Sequence, residues 1–95
     1  MSNQYYVYIM TNEHHTVLYT GITNDLGHRA YEHRTGQGGH FTSKYKTTKL
    51  VYYQATTDVH AAIAREKQIK AGSRQKKLDL IGEMNPEWNG LYDEL

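Results

Sequence analysis

Five side chains in this sequence are of types that do chemistry, at spacings that could gather them. Glu66 stands four residues after Ala62, three after Ile63 and three before Ile69, so on a helix it points with the apolar side. A carboxylate placed there must be paired, neutralised or coordinated. An ion pair at the edge of the stripe with Arg65, Lys67 or Lys70 would meet that need as well as a cation would. Arg29 and His33 are four apart and would share a helix face. A guanidinium suits phosphate oxygens and an imidazole suits proton transfer near neutral pH, although solvated surface pairs have the same spacing. Tyr8 and Tyr19 belong to a set of nine tyrosines, and the default role of a strand tyrosine is packing with its hydroxyl at the rim.

Several other chemistries are excluded or disfavoured. The chain has no cysteine, hence no disulfide framework, thiolate zinc site or cysteine nucleophile. None of the six histidines forms an H-x-x-x-H pair, which disfavours a histidine zinc site. Gly36, Gly38 and Gly39 read as following a helical segment rather than opening one, and no phosphate-loop motif occurs, so a nucleotide cradle is not indicated. Charge is segregated: residues 1–25 carry −2, residues 26–77 hold all eleven Lys and Arg and carry +8, and residues 78–95 carry −5. A basic middle of this size fits a polyanionic partner; a solvated surface with an acidic tail would give the same count.

The elements that must position these side chains are readable in outline. Residues 4–10 (QYYVYIM) form a strand that puts Tyr5, Val7 and Ile9 on one face and Tyr6, Tyr8 and Met10 on the other. Residues 17–22 form a second strand, joined to the first as an antiparallel hairpin. Asn24 or Thr23 caps a helix running to about Arg34. Residues 36–48 read as a Gly-rich basic loop, and residues 50–55 as a third strand. Asp58 caps a helix over 59–71 that Gly72 stops, and Ser73 caps another over 74–84 that Pro86 ends. Trp88, Leu91 and Tyr92 dock the tail on the body. The expected architecture is α+β: a small three-stranded, mainly antiparallel sheet flanked by helices, in the order β-β-α-β-α-α. With 95 residues, one domain over 1–95 is expected, its core at about 4–84 and an acidic tail at 85–95. No apolar run reaches the ~20 residues of a membrane helix and no leader opens the chain, so a cytoplasmic protein without membrane partners is expected.

Taken together, these residues resemble the GIY-YIG nuclease superfamily, and in particular its small single-domain bacterial members. The first motif is Tyr6-Val7-Tyr8, with Tyr6 where the family has glycine; the second is Tyr19-Thr20-Gly21. The family's arginine matches Arg29, its following histidine or tyrosine matches His33, and its metal-binding glutamate matches Glu66. Ile22 stands where some relatives have lysine. The late asparagine of several relatives has only Asn85 as a candidate, at a longer spacing from Glu66 than the family's.

The resemblance implies a metal-dependent endonuclease that hydrolyses DNA phosphodiester bonds, with DNA repair or recombination as its setting and RNA as a competing substrate. Glu66 would hold Mg2+ (or Mn2+), Arg29 would neutralise charge on the phosphorus centre, Tyr8 would be the general base with His33 accepting its proton, and Tyr19 would orient water or phosphate. Arg34, His40, Lys44, Tyr45, Lys46, Lys49, Lys67, Lys70 and Arg74 would follow the nucleic-acid strand. Two alternatives stand beside this reading: a non-catalytic nucleic-acid-binding module that keeps the nuclease fold, and a scaffold subunit that uses the acidic tail and Trp88 as a protein contact.

Overall fold

The structure is a computed structural model that describes residues 3–37 and 39–95, with the side chains of residues 40–42 left out of the description. Strands β1 (Tyr5–Thr11), β2 (Leu18–Thr23) and β3 (Lys49–Thr56) form one antiparallel sheet in the order β2-β1-β3. The helices are α1 (Leu26–Arg34), α2 (His40–Tyr45), α3 (Val59–Ala71) and α4 (Arg74–Met84), and a 3-10 turn over Tyr92–Glu94 ends the chain. The expected α+β class and element order hold, with one addition: the segment read as a loop contains α2. Gly36, Gly38 and Gly39 hide this six-residue helix from any periodicity argument.

The alternation in β1 divides the core in two. Val7 and Ile9 pack with Val51, Tyr52, Ala62, Ile69 and Ile81 under α3 and α4. Tyr8 and Met10 pack with Leu26, Ala30, Leu50 and Leu91 under α1 and the C-terminal segment. The helix caps follow from residue type. Asp58 accepts from the backbone N–H groups of His60 and Ala61, Ser73 accepts from Lys76, and Asp25 caps α1 by accepting from His28. The cap of α1 is therefore one residue after Asn24 and two after Thr23, the positions read from the sequence. Thr23, one of those two, instead accepts from the backbone N–H of Asp25 at 3.1 Å.

Among the described residues, no helix is long and apolar enough to cross a membrane. The C-terminal segment closes the start of β3. The Leu91 N–H donates to the Leu50 carbonyl at 2.8 Å, and Asn85 Nδ2 donates to the carbonyls of Val51 (3.2 Å) and Asn89 (2.8 Å). Trp88 stacks on His15 with ring centroids 4.6 Å apart.

Candidate active site

Cross-strand pairing sets Tyr8 of β1 opposite Gly21 of β2 and Met10 opposite Tyr19. Side chains opposite one another share a face, so Tyr8, Tyr19 and the empty position of Gly21 form one surface. The glycine is sterically required: a Cβ on Gly21 would overlap the Tyr8 hydroxyl and lie 2.5 Å from its Cζ. The second motif's glycine thus clears the space that the first motif's tyrosine fills.

Helix α1 lies over this face and supplies Arg29 and His33 one turn apart. His33 Nε2 is 3.4 Å from the Tyr8 hydroxyl, and His33 Nδ1 is 3.2 Å from the Thr47 carbonyl. A carbonyl only accepts, so Nδ1 carries the hydrogen and Nε2 presents its lone pair to the Tyr8 O–H. The rings of Tyr8 and Tyr19 lie 5.7 and 5.1 Å from that of His33. Burial pushes the His33 pKa down, with the Thr47 carbonyl opposing and Arg29 adding to the shift, which keeps the ring neutral. Burial likewise pushes the Tyr8 phenol up; Tyr19 adds to the rise and the Arg29 guanidinium opposes it.

Tyr8 is 1% exposed and His33 fully buried, whereas Tyr19 is half-buried and the Arg29 side chain is 41% exposed. The site therefore opens to solvent past Tyr19 and Arg29. Arg29 Nε is buried without a well-aligned hydrogen bond, although Glu32 Oε1 lies 3.4 Å away. Glu32 was not among the sequence candidates. Its position three residues after Arg29 on one helix was the available signal. Thr47, which fixes the His33 tautomer, gives no sequence signal, because it acts through its backbone carbonyl from a non-repetitive segment.

Four of the five candidate residues thus converge. Glu66 is not seen to touch them. It stands on α3, whose buried Ala62 and Ile69 pack on the other face of the sheet, and its Oε2 is 3.4 Å from Lys70 Nζ. Of the partners weighed for it, Lys70 is the one found. The stripe beside it is also narrower than the spacing implied, because Ile63 is 41% exposed. Helix α3 does pack against β2, the edge strand that carries Tyr19 and Gly21.

Whether these residues suit a divalent cation turns on donor chemistry. Among the described residues no three His, Cys, Asp or Glu gather into a ready cage. The Glu66 side chain is 16% exposed, its one polar partner among the described residues is Lys70, itself 60% exposed, and within the same set its Oε1 accepts no hydrogen bond. A lone hard-oxygen ligand of this kind fits Mg2+, which binds through one or two carboxylates and otherwise keeps water and substrate phosphate.

The candidate strand-binding residues divide. Lys49 Nζ is 3.3 Å from His15 Nε2, Lys70 is paired with Glu66, and Arg74 donates to the carbonyls of His15 (2.9 Å) and Thr16 (3.3 Å). Each of these three has an intramolecular partner, and only that of Lys70 was foreseeable from the sequence. Arg34 lies over the Tyr92 ring at 4.7 Å and 3.9 Å from Asp93. Lys44 lies over Tyr45 at 5.3 Å. Lys46, in a left-handed conformation (φ 54°), and Lys67 are exposed. The side chain of His40 lies outside the described residues, as does that of Phe41, the other aromatic of this segment. Asn85 is the C-cap of α4 and its amide is spent on Val51 and Asn89, so it braces the tail.

Comparison with known proteins bears on the family and the fold. Residues 4–79 match the GIY-YIG catalytic domain. A UPF0213 protein of Staphylococcus saprophyticus is 38% identical over 81 residues, covering 85% of this chain and 98% of that protein. One of Haloquadratum walsbyi is 36% identical over 83 residues, covering 87% and 92%. The solution NMR structure of a UPF0213 protein from Bacillus halodurans superposes with a TM-score of 0.59 at 29% identity, covering 92% of each chain. With the family matched over residues 4–79 and the fold over 92% of the chain, this chain belongs to the GIY-YIG catalytic domain family.

Proposed function

We propose that this protein is a divalent-metal-dependent endonuclease that hydrolyses DNA phosphodiester bonds. The observation that carries the reading is the meeting of a tyrosine hydroxyl, a neutral imidazole and a guanidinium, from two elements, beside a glycine that leaves room for them. Arg29, at the solvent side, takes the phosphate and offsets the charge that builds on its oxygens in the transition state. Tyr8 passes protons rather than acting as a standing phenolate, since burial opposes that anion. Its O–H hydrogen moves to His33 Nε2 as its oxygen takes one from the attacking water, and the Thr47 carbonyl steadies the imidazolium that forms. Tyr19 orients the water or phosphate at the opening. Glu66 would hold a Mg2+ or Mn2+ ion, which when bound supplies Lewis-acid stabilisation of phosphate and leaving oxygen. Exposed Lys46 and Lys67 contribute sequence-independent attraction to the strand.

The test is magnesium-dependent nicking of plasmid and branched DNA, with an RNA substrate alongside. Cleavage that is lost in both Arg29→Ala and Glu66→Ala supports the reading. The specific observation favouring a binding module is the closure of Tyr8 together with the Glu66–Lys70 pair. On that alternative, salt-dependent affinity persists and neither the native protein nor Glu66→Ala cuts.

A further inference from the structure

Tyr6 stands where the family has glycine, and the reaction above makes no use of its ring. It lies two residues from Tyr8 on the same face of β1, about 6.6 Å along the strand, and packs against the same cluster. Its hydroxyl donates to Gln4 Oε1 at 2.8 Å. Tyr53 of β3 is the cross-strand partner of Tyr8 and packs on that cluster too, which makes it a diagonal neighbour of Tyr6. The two half-buried rings line a cavity of about 420 Å³ whose other polar walls are Gln4, Asn24 and Asp25. That volume is in the ~300–1,000 Å³ range of small-molecule sites.

The chemistry of the lining selects a class of occupant. Among the described residues no Lys or Arg lines the cavity and Asp25 does, so a phosphate is repelled. Asp25 Oδ1 caps α1 through the His28 N–H, while its second oxygen has no partner among the described residues. The amide oxygen of Asn24 is a further acceptor. Aromatic rings beside carboxylate and amide acceptors suit a flat, neutral heterocycle that carries N–H donors.

We propose that the Tyr6–Tyr53 cavity is a nucleobase subsite, which takes a base with an exocyclic amine from the nucleotide next to the bond that is cut. The assignment rests on the nuclease reading for its register, but not for the binding itself. A base held in a duplex cannot enter such a cavity, because its faces are already stacked. The substrate is therefore a strand with an unpaired nucleotide beside the scissile phosphate, such as a flap, a bulge or a single strand.

The experiment walks an abasic site along a short fluorescent single-stranded adenine-rich oligonucleotide and reads affinity by anisotropy without divalent metal. The native protein is expected to lose about tenfold or more at one position, the usual size of a lost base–aromatic stack. Tyr6→Leu, which keeps apolar bulk, is expected to bind the intact strand as weakly as the native protein binds that abasic one, and to be indifferent to the abasic site. Tyr6→Phe should behave as native, and Tyr53→Leu should repeat the Tyr6→Leu result. An undiminished abasic penalty in both leucine variants, or no penalty at any position in the native protein, overturns the subsite. If free adenosine 5′-monophosphate binds in a Tyr6-dependent way while strand binding ignores the abasic site, the cavity takes a free nucleotide and the strand assignment falls. A Tyr6-dependent penalty in a protein that never cuts with Mg2+ leaves the subsite standing and removes the nuclease reading instead.

Discussion

The two faces of the sheet are built on opposite terms. The face under α3 and α4 is apolar: Val7, Ile9, Val51, Ala62 and Ile81 are each at most 1% exposed. The face under α1 buries Tyr8 and His33 as deeply, yet each is a polar group that must find a partner or cost stability. β1 serves both through its alternation. One face stabilises the fold by burial, and the other spends part of that stability holding a tyrosine, a histidine and an arginine in contact.

Substitutions that strike one face and spare the other test this division. The largest change in stability is expected from Ile81→Ala, at a fully buried site of the apolar face. Urea unfolding should show a loss of about 2–5 kcal/mol. A loss below about 1 kcal/mol would mean that this face does not anchor the fold.

Arg29→Ala should do the reverse. With its side chain 41% exposed, it should change unfolding by under about 1 kcal/mol. It should lower the cleavage rate by about 10²–10³-fold, as loss of a transition-state charge partner does. Equal damage to stability and activity would blur the two faces.

Gly21→Ala comes next, at about 1–3 kcal/mol, because the new methyl must displace the Tyr8 ring. Its control is Gly82→Ala in α4, where a Cβ meets nothing within 4 Å and helix propensity favours alanine by up to about 1 kcal/mol. If both substitutions were neutral, Tyr8 would not be held against Gly21.

The smallest effect is the pH dependence of His33. Burial sets its folded pKa below the ordinary ~6.5, so the unfolded chain binds the proton first as pH falls. The stability from the neutral ring is complete above the unfolded value, declines as pH falls from ~6.5 toward the folded value, and then levels off. Unfolding midpoints measured from pH 8 to 5 should decline less steeply in His33→Gln. His15, whose pKa is also pushed down by burial and by Lys49, accounts for part of the remaining slope. Parallel midpoint curves for the two proteins would contradict a buried neutral His33.

Legibility in the sequence followed the range of the interactions. The bounds of α3 and α4, with Asp58, Gly72 and Ser73 at their ends, were readable because caps and stops act within four residues. The two faces of β1 were readable from its period of two. Helix α2 was not, since six residues among glycines carry no periodic stripe. The partners of Lys49 and Arg74 were invisible because His15 and Thr16 come from a hairpin turn far away in sequence. The spacing that set Glu66 beside Ala62 and Ile69 was sound, but it could not choose among Lys70, another cation and a metal ion.

The sequence by itself determined which residue types lie on which side of each element, because helix and strand periods are local geometry. Only the tertiary structure decided that the Tyr8 hydroxyl meets His33 across 25 residues and that the Thr47 carbonyl, 14 residues beyond, fixes the ring's tautomer. Such contacts depend on how α1 and the segment before β3 settle onto the sheet, and that is set by the packing of the whole core rather than by any stretch of chain.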